Sequence, residues 1–158
     1  MKGAAAIHDL LRAAIASEFR ASSQYALHAG ALDNWGYGGL AKHERQEAKE
    51  EQGHARRFIE RLTFLEGELD IGPIAAPDVG MSVPEVLALD LKAERAAVAM
   101  YTASAMAAWA EGDLVTSDLF RSILADEQGH VNWLETQLAG IDAIGLQGYL
   151  QTQFGGAA

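Results

Sequence analysis

Two pairs of side chains recur in this chain at one spacing: Glu51 with His54, and Glu127 with His130, each inside the tetrapeptide Glu-Gln-Gly-His. Residues three apart on a helix share a face, so each tetrapeptide aims a carboxylate and an imidazole into one space. The copies lie 76 positions apart, 127 against 51. Glu18 and Glu94 obey the same offset, and each precedes its Glu-x-x-His partner by 33 positions. Tyr25 and Tyr101 are related in the same way.

Brought together in a helical interior, four carboxylates without partners would cost several kcal/mol each. Two divalent cations cancel four negative charges, and six side chains hold two metals with positions left open for oxygen. Carboxylate-rich ligation with imidazole suits iron or manganese, and the lack of thiolates disfavours structural zinc. A single Glu-x-x-His is ordinarily a solvated helix face, and Glu18 or Glu94 alone reads as surface charge. The repetition of the whole set is what points to a di-metal centre. One glutamate from each of two helices, with Glu-x-x-His from each of the other two, is the known ligand pattern of ferritin-like carboxylate proteins. Gly53 and Gly129 are costly in a helix, by about 1 kcal/mol relative to alanine. Either they let a neighbouring helix or ligand approach closely, or metal and packing make them tolerable.

The elements that must position these groups are four long helical segments, at about 4–34, 40–66, 83–112 and 113–140. The first ends at the breaker Asn34-Trp35-Gly36-Tyr37-Gly38-Gly39, and the third opens at Ser82-Val83-Pro84-Glu85, a capping box with proline in the first turn. A short apolar stretch at 144–154 predicts a further C-terminal helix. Short turns make antiparallel hairpins of helices one and two and of helices three and four. The segment 67–81, with Gly72, Pro73, Pro77 and Gly80, joins the hairpins. A second helix of about 27 residues is ~40 Å long, and the connecting segment reaches ~50 Å when extended. It therefore spans the bundle as a long crossover. The expected fold is all-α, one four-helix domain over 1–158.

Composition bounds the rest. The 158 residues are 49% hydrophobic with no cysteine, which excludes disulfides, iron–sulfur clusters and thiolate chemistry. A formal charge of −10 argues against a nucleic-acid partner and suits attraction of cations. His8, Asp9 and Arg12 interrupt the N-terminal apolar stretch, so no signal peptide is expected, and no run approaches a membrane span.

The chain resembles bacterioferritin over nearly its whole length. The likeness is carried by Gln24-Tyr25 with Leu27-His28-Ala29, by Asn34-Trp35-Gly36, by Ala41-Lys42-His43-Glu44 and by Phe64-Leu65-Glu66-Gly67. It continues in Asp126-Glu127 to His130, in Trp133 to Leu138, and in Ile144-Gly145-Leu146-Gln147 with Tyr149-Leu150-Gln151. The resemblance implies a cytoplasmic iron-storage protein, a homo-oligomeric shell of 24 subunits built from dimers, and a ferroxidase centre in each bundle that oxidises Fe²⁺ with dioxygen or peroxide. The implied iron ligands are Glu18, Glu51, His54, Glu94, Glu127 and His130, with Glu51 and Glu127 as bridges and two iron ions per subunit. Tyr25 matches the family's tyrosine beside the centre, where it supplies an electron. Core packing is the expectation for Tyr101. His43 and Glu44 read as a polar helix start, and Glu47 and Glu50 as an inner acidic surface that guides iron to mineral.

One position departs from the family. Bacterioferritins hold a haem between two subunits through a methionine from each, and this chain has Gln52 there. Position 52 lies about 100° around the helix from 51 and about 160° from 54, so it faces a neighbour. Ser22, Ser23, Ala26, Arg45 and Lys49 give small or charged walls, whereas a methionine-type haem needs apolar walls and a soft ligand. The expectation is therefore a chain that binds no haem or binds it weakly. It is then either a haem-free homopolymer or the catalytic subunit of a mixed shell whose second bacterioferritin subunit carries the haem. Electron delivery by a bacterioferritin-associated ferredoxin stands or falls with the haem. A di-iron oxygenase or peroxidase is the rival reading of the ligands, and a non-catalytic shell subunit the third.

Overall fold

The computed structural model describes residues 2–155. Four helices account for most of them: α1 (Ala5–Asn34), α2 (Gly38–Phe64), α3 (Val83–Ala110) and α4 (Leu114–Gln153). Their ends follow local chemistry. α1 closes with Gly36 at φ 88° while Tyr37 N–H donates to the Leu32 carbonyl, and α3 closes with Gly112 at φ 75° while Asp113 N–H donates to the Ala108 carbonyl. Both are left-handed caps that glycine adopts without strain, and they turn the chain back within a few residues. The Ser82 cap forms as the sequence predicts, with Ser82 Oγ accepting from Glu85 N–H, while the Glu85 carboxylate accepts from Met81 N–H, one residue before the cap. α1 therefore packs along α2, and α3 along α4, as two antiparallel hairpins.

The crossover between the hairpins is laced to α1 in chain order. Arg12 Nε donates to the Glu68 carbonyl and Arg20 Nε to the Ala76 carbonyl. Further along, Asp78 N–H donates to Gln24 Oε1 and Gly80 N–H to His28 Nε2. The segment thus runs beside α1 with side chains satisfying its exposed backbone groups.

Helix four differs from expectation. It does not stop at Gly140 but continues to a break at Gly145, whose φ of 76° and ψ of 154° fall in a region open essentially to glycine alone. The short helix beyond the break folds back on the bundle, with Tyr149 donating to Gln137 and the Phe154 ring edge-on to Tyr37 at 5.3 Å.

The interior is two apolar clusters with a gap between them. One gathers Ile7, Leu11, Ile15, Phe58, Leu62, Tyr101, Phe120 and Ile123 at one end of the bundle. The other gathers Leu32, Leu40, Val83, Val86, Leu87, Leu91 and Leu134 at the opposite end. On every helix the glutamates and histidines of the repeated set fall between these two layers. Among the described residues no helix is long and apolar enough to cross a membrane.

Gly80 admits no side chain, because an added Cβ would lie 2.5 Å from the Val86 backbone nitrogen. Gly80→Ala is expected to displace the end of the crossover and destabilise the protein by about 1–3 kcal/mol, read from urea unfolding.

Candidate metal centre

Glu18 on α1, Glu51 and His54 on α2, Glu94 on α3, and Glu127 and His130 on α4 meet in the polar belt between the apolar clusters. They form two quartets. In Glu18–Glu51–His54–Glu127, and again in Glu51–Glu94–Glu127–His130, one donor atom of each residue lies within 4.8 Å of all the others. Glu51 and Glu127 belong to both. The imidazoles face inward through Nδ1: that of His54 stands 2.9 Å from Glu51 and 3.2 Å from Glu127, that of His130 3.1 Å from Glu127 and 3.4 Å from Glu51. Their outward nitrogens meet carboxylates as well, His130 Nε2 to Glu47 at 2.9 Å and His54 Nε2 to Asp126 at 3.4 Å. Once the imidazoles are neutral, a carboxylate beside the far nitrogen favours the tautomer whose Nδ1 can take a metal.

Several inward atoms have no well-aligned hydrogen bond, namely Glu51 Oε1, both oxygens of Glu127, and His130 Nδ1. Buried lone pairs left in this way cost free energy unless a cation takes them. The donors are oxygen and imidazole nitrogen without sulfur, which suits iron or manganese. Two phenols complete the layer. Tyr25 on α1 donates to Glu94 on α3, and Tyr101 on α3 donates to Glu18 Oε1 on α1 at 2.5 Å.

The electrostatics reflect crowding of like charge. Burial, then the charge of Glu51, pushes the Glu18 carboxyl well up, and burial pushes up that of Glu94. Burial also opposes the charge on Glu127, but contacts with His130 and His54 outweigh it and hold that carboxyl at about 2. For His54, burial opposes the cation, and Glu127 and Glu51 outweigh it and lift the imidazole to about 10. His130 is raised for the same reasons. Metal ligation demands neutral imidazole, so cation binding expels these protons.

Two expectations need correction. Glu44 is not part of a polar helix start: it is fully buried with both oxygens unpartnered, in a group with His28 and Asp90. Gly80 N–H donates to His28 Nε2, so His28 carries its proton on Nδ1 and donates to Asp90, which also accepts from Gln24. Glu47 is not an inner acidic surface but the buried carboxylate on His130, and Glu50 lies 3.7 Å from the same nitrogen. Its position four before Glu51 is the signal that could have placed it. Of the two readings open for Gly53 and Gly129, close approach finds no support within this chain, since an added Cβ would meet nothing within 4 Å at either. Tyr101 packs in the core as expected, and its hydroxyl reaches Glu18 besides.

The ferritin-like domain family matches residues 8–144. The bacterioferritin of Rhodobacter capsulatus is 38% identical over 149 residues, covering 94% of this chain and 92% of that protein. The bacterioferritin of Brucella melitensis biotype 1 is 42% identical over 151 residues, covering 96% and 94%. The chain belongs to the bacterioferritin family. A solved bacterioferritin structure from Rhodobacter capsulatus superposes with a TM-score of 0.96 at 37% identity, covering 100% of both chains; its dinuclear site is metal-free and it holds haem iron in a crystallographic special position.

The bacterioferritin haem position, Gln52, lies on the exposed side of α2, where its amide donates to Ser22 Oγ at 3.1 Å. It borders an open groove of about 550 Å³ that also includes Phe19, Ser23, Arg56, Ile59 and Ile74. Spacing had pointed only to the small and charged walls; the three apolar side chains come from one turn before Ser22 on α1, two turns beyond Gln52 on α2, and the crossover.

Because the His54 imidazole is raised to about 10 in the fold against about 6.5 in an unfolded chain, its stabilising contribution is complete below about 6.5 and lost as pH climbs to about 10. The thermal midpoint of chelator-stripped protein is expected to fall across that window by an amount on the order of a few kcal/mol of stability, and Zn²⁺ to restore it. Gly129→Ala is expected to raise the midpoint of the same preparation, by about 1 kcal/mol of stability, since nothing in the chain occupies the space.

Proposed function

We propose that the chain stores iron and oxidises Fe²⁺ to Fe³⁺ at a di-iron centre inside each bundle. The observation that carries this is the pair of buried three-glutamate, one-histidine quartets sharing Glu51 and Glu127. Iron is substrate and cargo here. One Fe²⁺ is assigned to Glu18 and His54, the other to Glu94 and His130, with Glu51 and Glu127 bridging. Two close Fe²⁺ ions give dioxygen one electron each, which takes it to the level of peroxide and leaves two Fe³⁺. The fixed carboxylates set the separation of the ions and balance their charge as it rises. Tyr25, bonded to Glu94, stands ready as a further electron source.

The protein is a homo-oligomer, and a shell of 24 subunits in the cytoplasm is the assembly we propose. Large exposed apolar side chains, Trp109 at 60% and Met106 at 70% among them, support burial against further copies. Haem is absent or weakly held in shells made of this chain alone, because Gln52 supplies no soft axial ligand and its amide is engaged by Ser22. A mixed shell with a haem-carrying partner is the second reading, and it rests on the same residue.

Oxygen uptake on adding Fe²⁺ tests the centre. Rapid oxidation is expected in the parent protein and a loss of 10²-fold or more, an order of magnitude typical of removed metal ligands, in Glu18→Ala and His130→Ala. A dimer in place of a shell on size-exclusion chromatography would favour an oxygenase instead. Protein from haem-supplemented cells is expected to lack a stoichiometric Soret band, and a full band would end the haem assignment.

A further inference from the structure

The chemistry assigned to the two quartets makes no use of Tyr101. This side chain is fully buried on α3, with the rings of Phe58 and Phe120 at centroid distances of 5.6 and 5.8 Å. Its hydroxyl donates to Glu18 Oε1 at 2.5 Å, the short end for a phenol on a carboxylate. Tyr25, related by the 76-residue offset, donates from α1 to Glu94. Each phenol therefore holds a carboxylate that belongs to one quartet only: Glu18 to the first, Glu94 to the second. Packing alone does not call for this hydroxyl. Phe58 and Phe120 fill the same layer without one, and a buried O–H is a cost unless it has a partner.

We infer that Tyr101 is a second phenolic electron donor, serving the iron held by Glu18 as Tyr25 serves the iron held by Glu94. The inference rests on the ferroxidase reading above. A phenol yields an electron most readily when a base takes its proton in the same event, and Glu18 Oε1 is that base. The electron passes along the same short link to the iron side of Glu18. The balance is closed. Two Fe²⁺ supply two electrons, two tyrosines supply two electrons and two protons, and two further protons come from solvent. One dioxygen becomes two waters, leaving two Fe³⁺ and two neutral tyrosyl radicals. With both phenols removed, two electrons reach dioxygen, two protons from solvent join it, and hydrogen peroxide leaves.

The test mixes the assembled protein with two Fe²⁺ per chain and dioxygen, freezes samples rapidly, and records electron paramagnetic resonance beside released peroxide and Fe³⁺ absorbance. The parent protein, Tyr25→Phe, Tyr101→Phe and the double variant are compared, with Zn²⁺ binding measured on each. In each single variant the radical signal is expected at about half the parent value, one phenol remaining of two. The remaining signals should differ in hyperfine pattern, because the two rings sit in different surroundings. The double variant should give no signal and the most peroxide. Abolition of the radical by Tyr25→Phe alone overturns the inference, as does a full signal with unchanged peroxide in Tyr101→Phe. Loss of Zn²⁺ binding together with the radical in Tyr101→Phe makes the hydroxyl structural and overturns it too. Absence of Fe³⁺ formation in the parent protein overturns the ferroxidase reading itself, and the role of Tyr101 with it; normal Fe³⁺ formation with an unaltered radical removes only Tyr101.

Discussion

Four carboxylates held between two oily layers are the constraint on which this molecule is built. Glu18, Glu51, Glu94 and Glu127 are each almost wholly removed from water, and the helices on which they ride are otherwise packed by leucine, isoleucine and phenylalanine on either side. Such a belt repels itself, and in water-poor surroundings the repulsion is poorly screened. Protons on two imidazoles offset part of it, which is why His54 and His130 are lifted and Glu127 held low. Divalent cations offset it better. The apolar layers clamp the helices at both ends, so the belt keeps its geometry although it contributes little favourable packing of its own.

The rest of the architecture serves that geometry. Tight glycine caps at Gly36 and Gly112 fix the pairing within each hairpin, and so fix which turn of α2 faces which turn of α1. The crossover, tied to α1 from Arg12 to His28, sets the second hairpin against the first. Its last tie reaches the polar group beside the centre: Gly80 determines the His28 tautomer, and His28 in turn donates to Asp90. Backbone placement at the far end of a loop is thereby coupled to the orientation of a buried histidine that bonds α3 one turn before Glu94.

Much of this was written in the sequence, for a physical reason. Helical periodicity, the Ser82 capping box and the glycine breakers are local signals, and each acts within a few residues. The six inward residues were legible because a repeat at 76 positions turns one weak motif into two correlated ones. What could not be read was the layer that touches these residues from another helix. Glu47 on His130, the burial of Glu44 against His28 and Asp90, and the bond from Tyr101 to Glu18 depend on the rotation and stagger of packed helices, which no spacing within one helix encodes. The break at Gly145 was placed too early because Gly140 is an equally plausible stop in sequence. Only the fold-back of Tyr149 onto Gln137 decides between them.

The near-twofold relation between the hairpins is broken just outside the shared carboxylates, and the break makes the two halves of the centre unequal. His130 leans on Glu47, which is 4% exposed, whereas His54 leans on the half-exposed Asp126. Behind Glu94 lie more acids, Asp90 and Glu44, with burial first and Asp90 second holding the Glu44 carboxyl well above its ordinary value. Behind Glu18 stands an aromatic wall of Tyr101, Phe58 and Phe120. The Glu94 side is thus backed by further buried acids, and the Glu18 side by aromatic rings with one phenol among them. Two quartets of the same residue types are thus set in different surroundings, although the sequence presents them as copies.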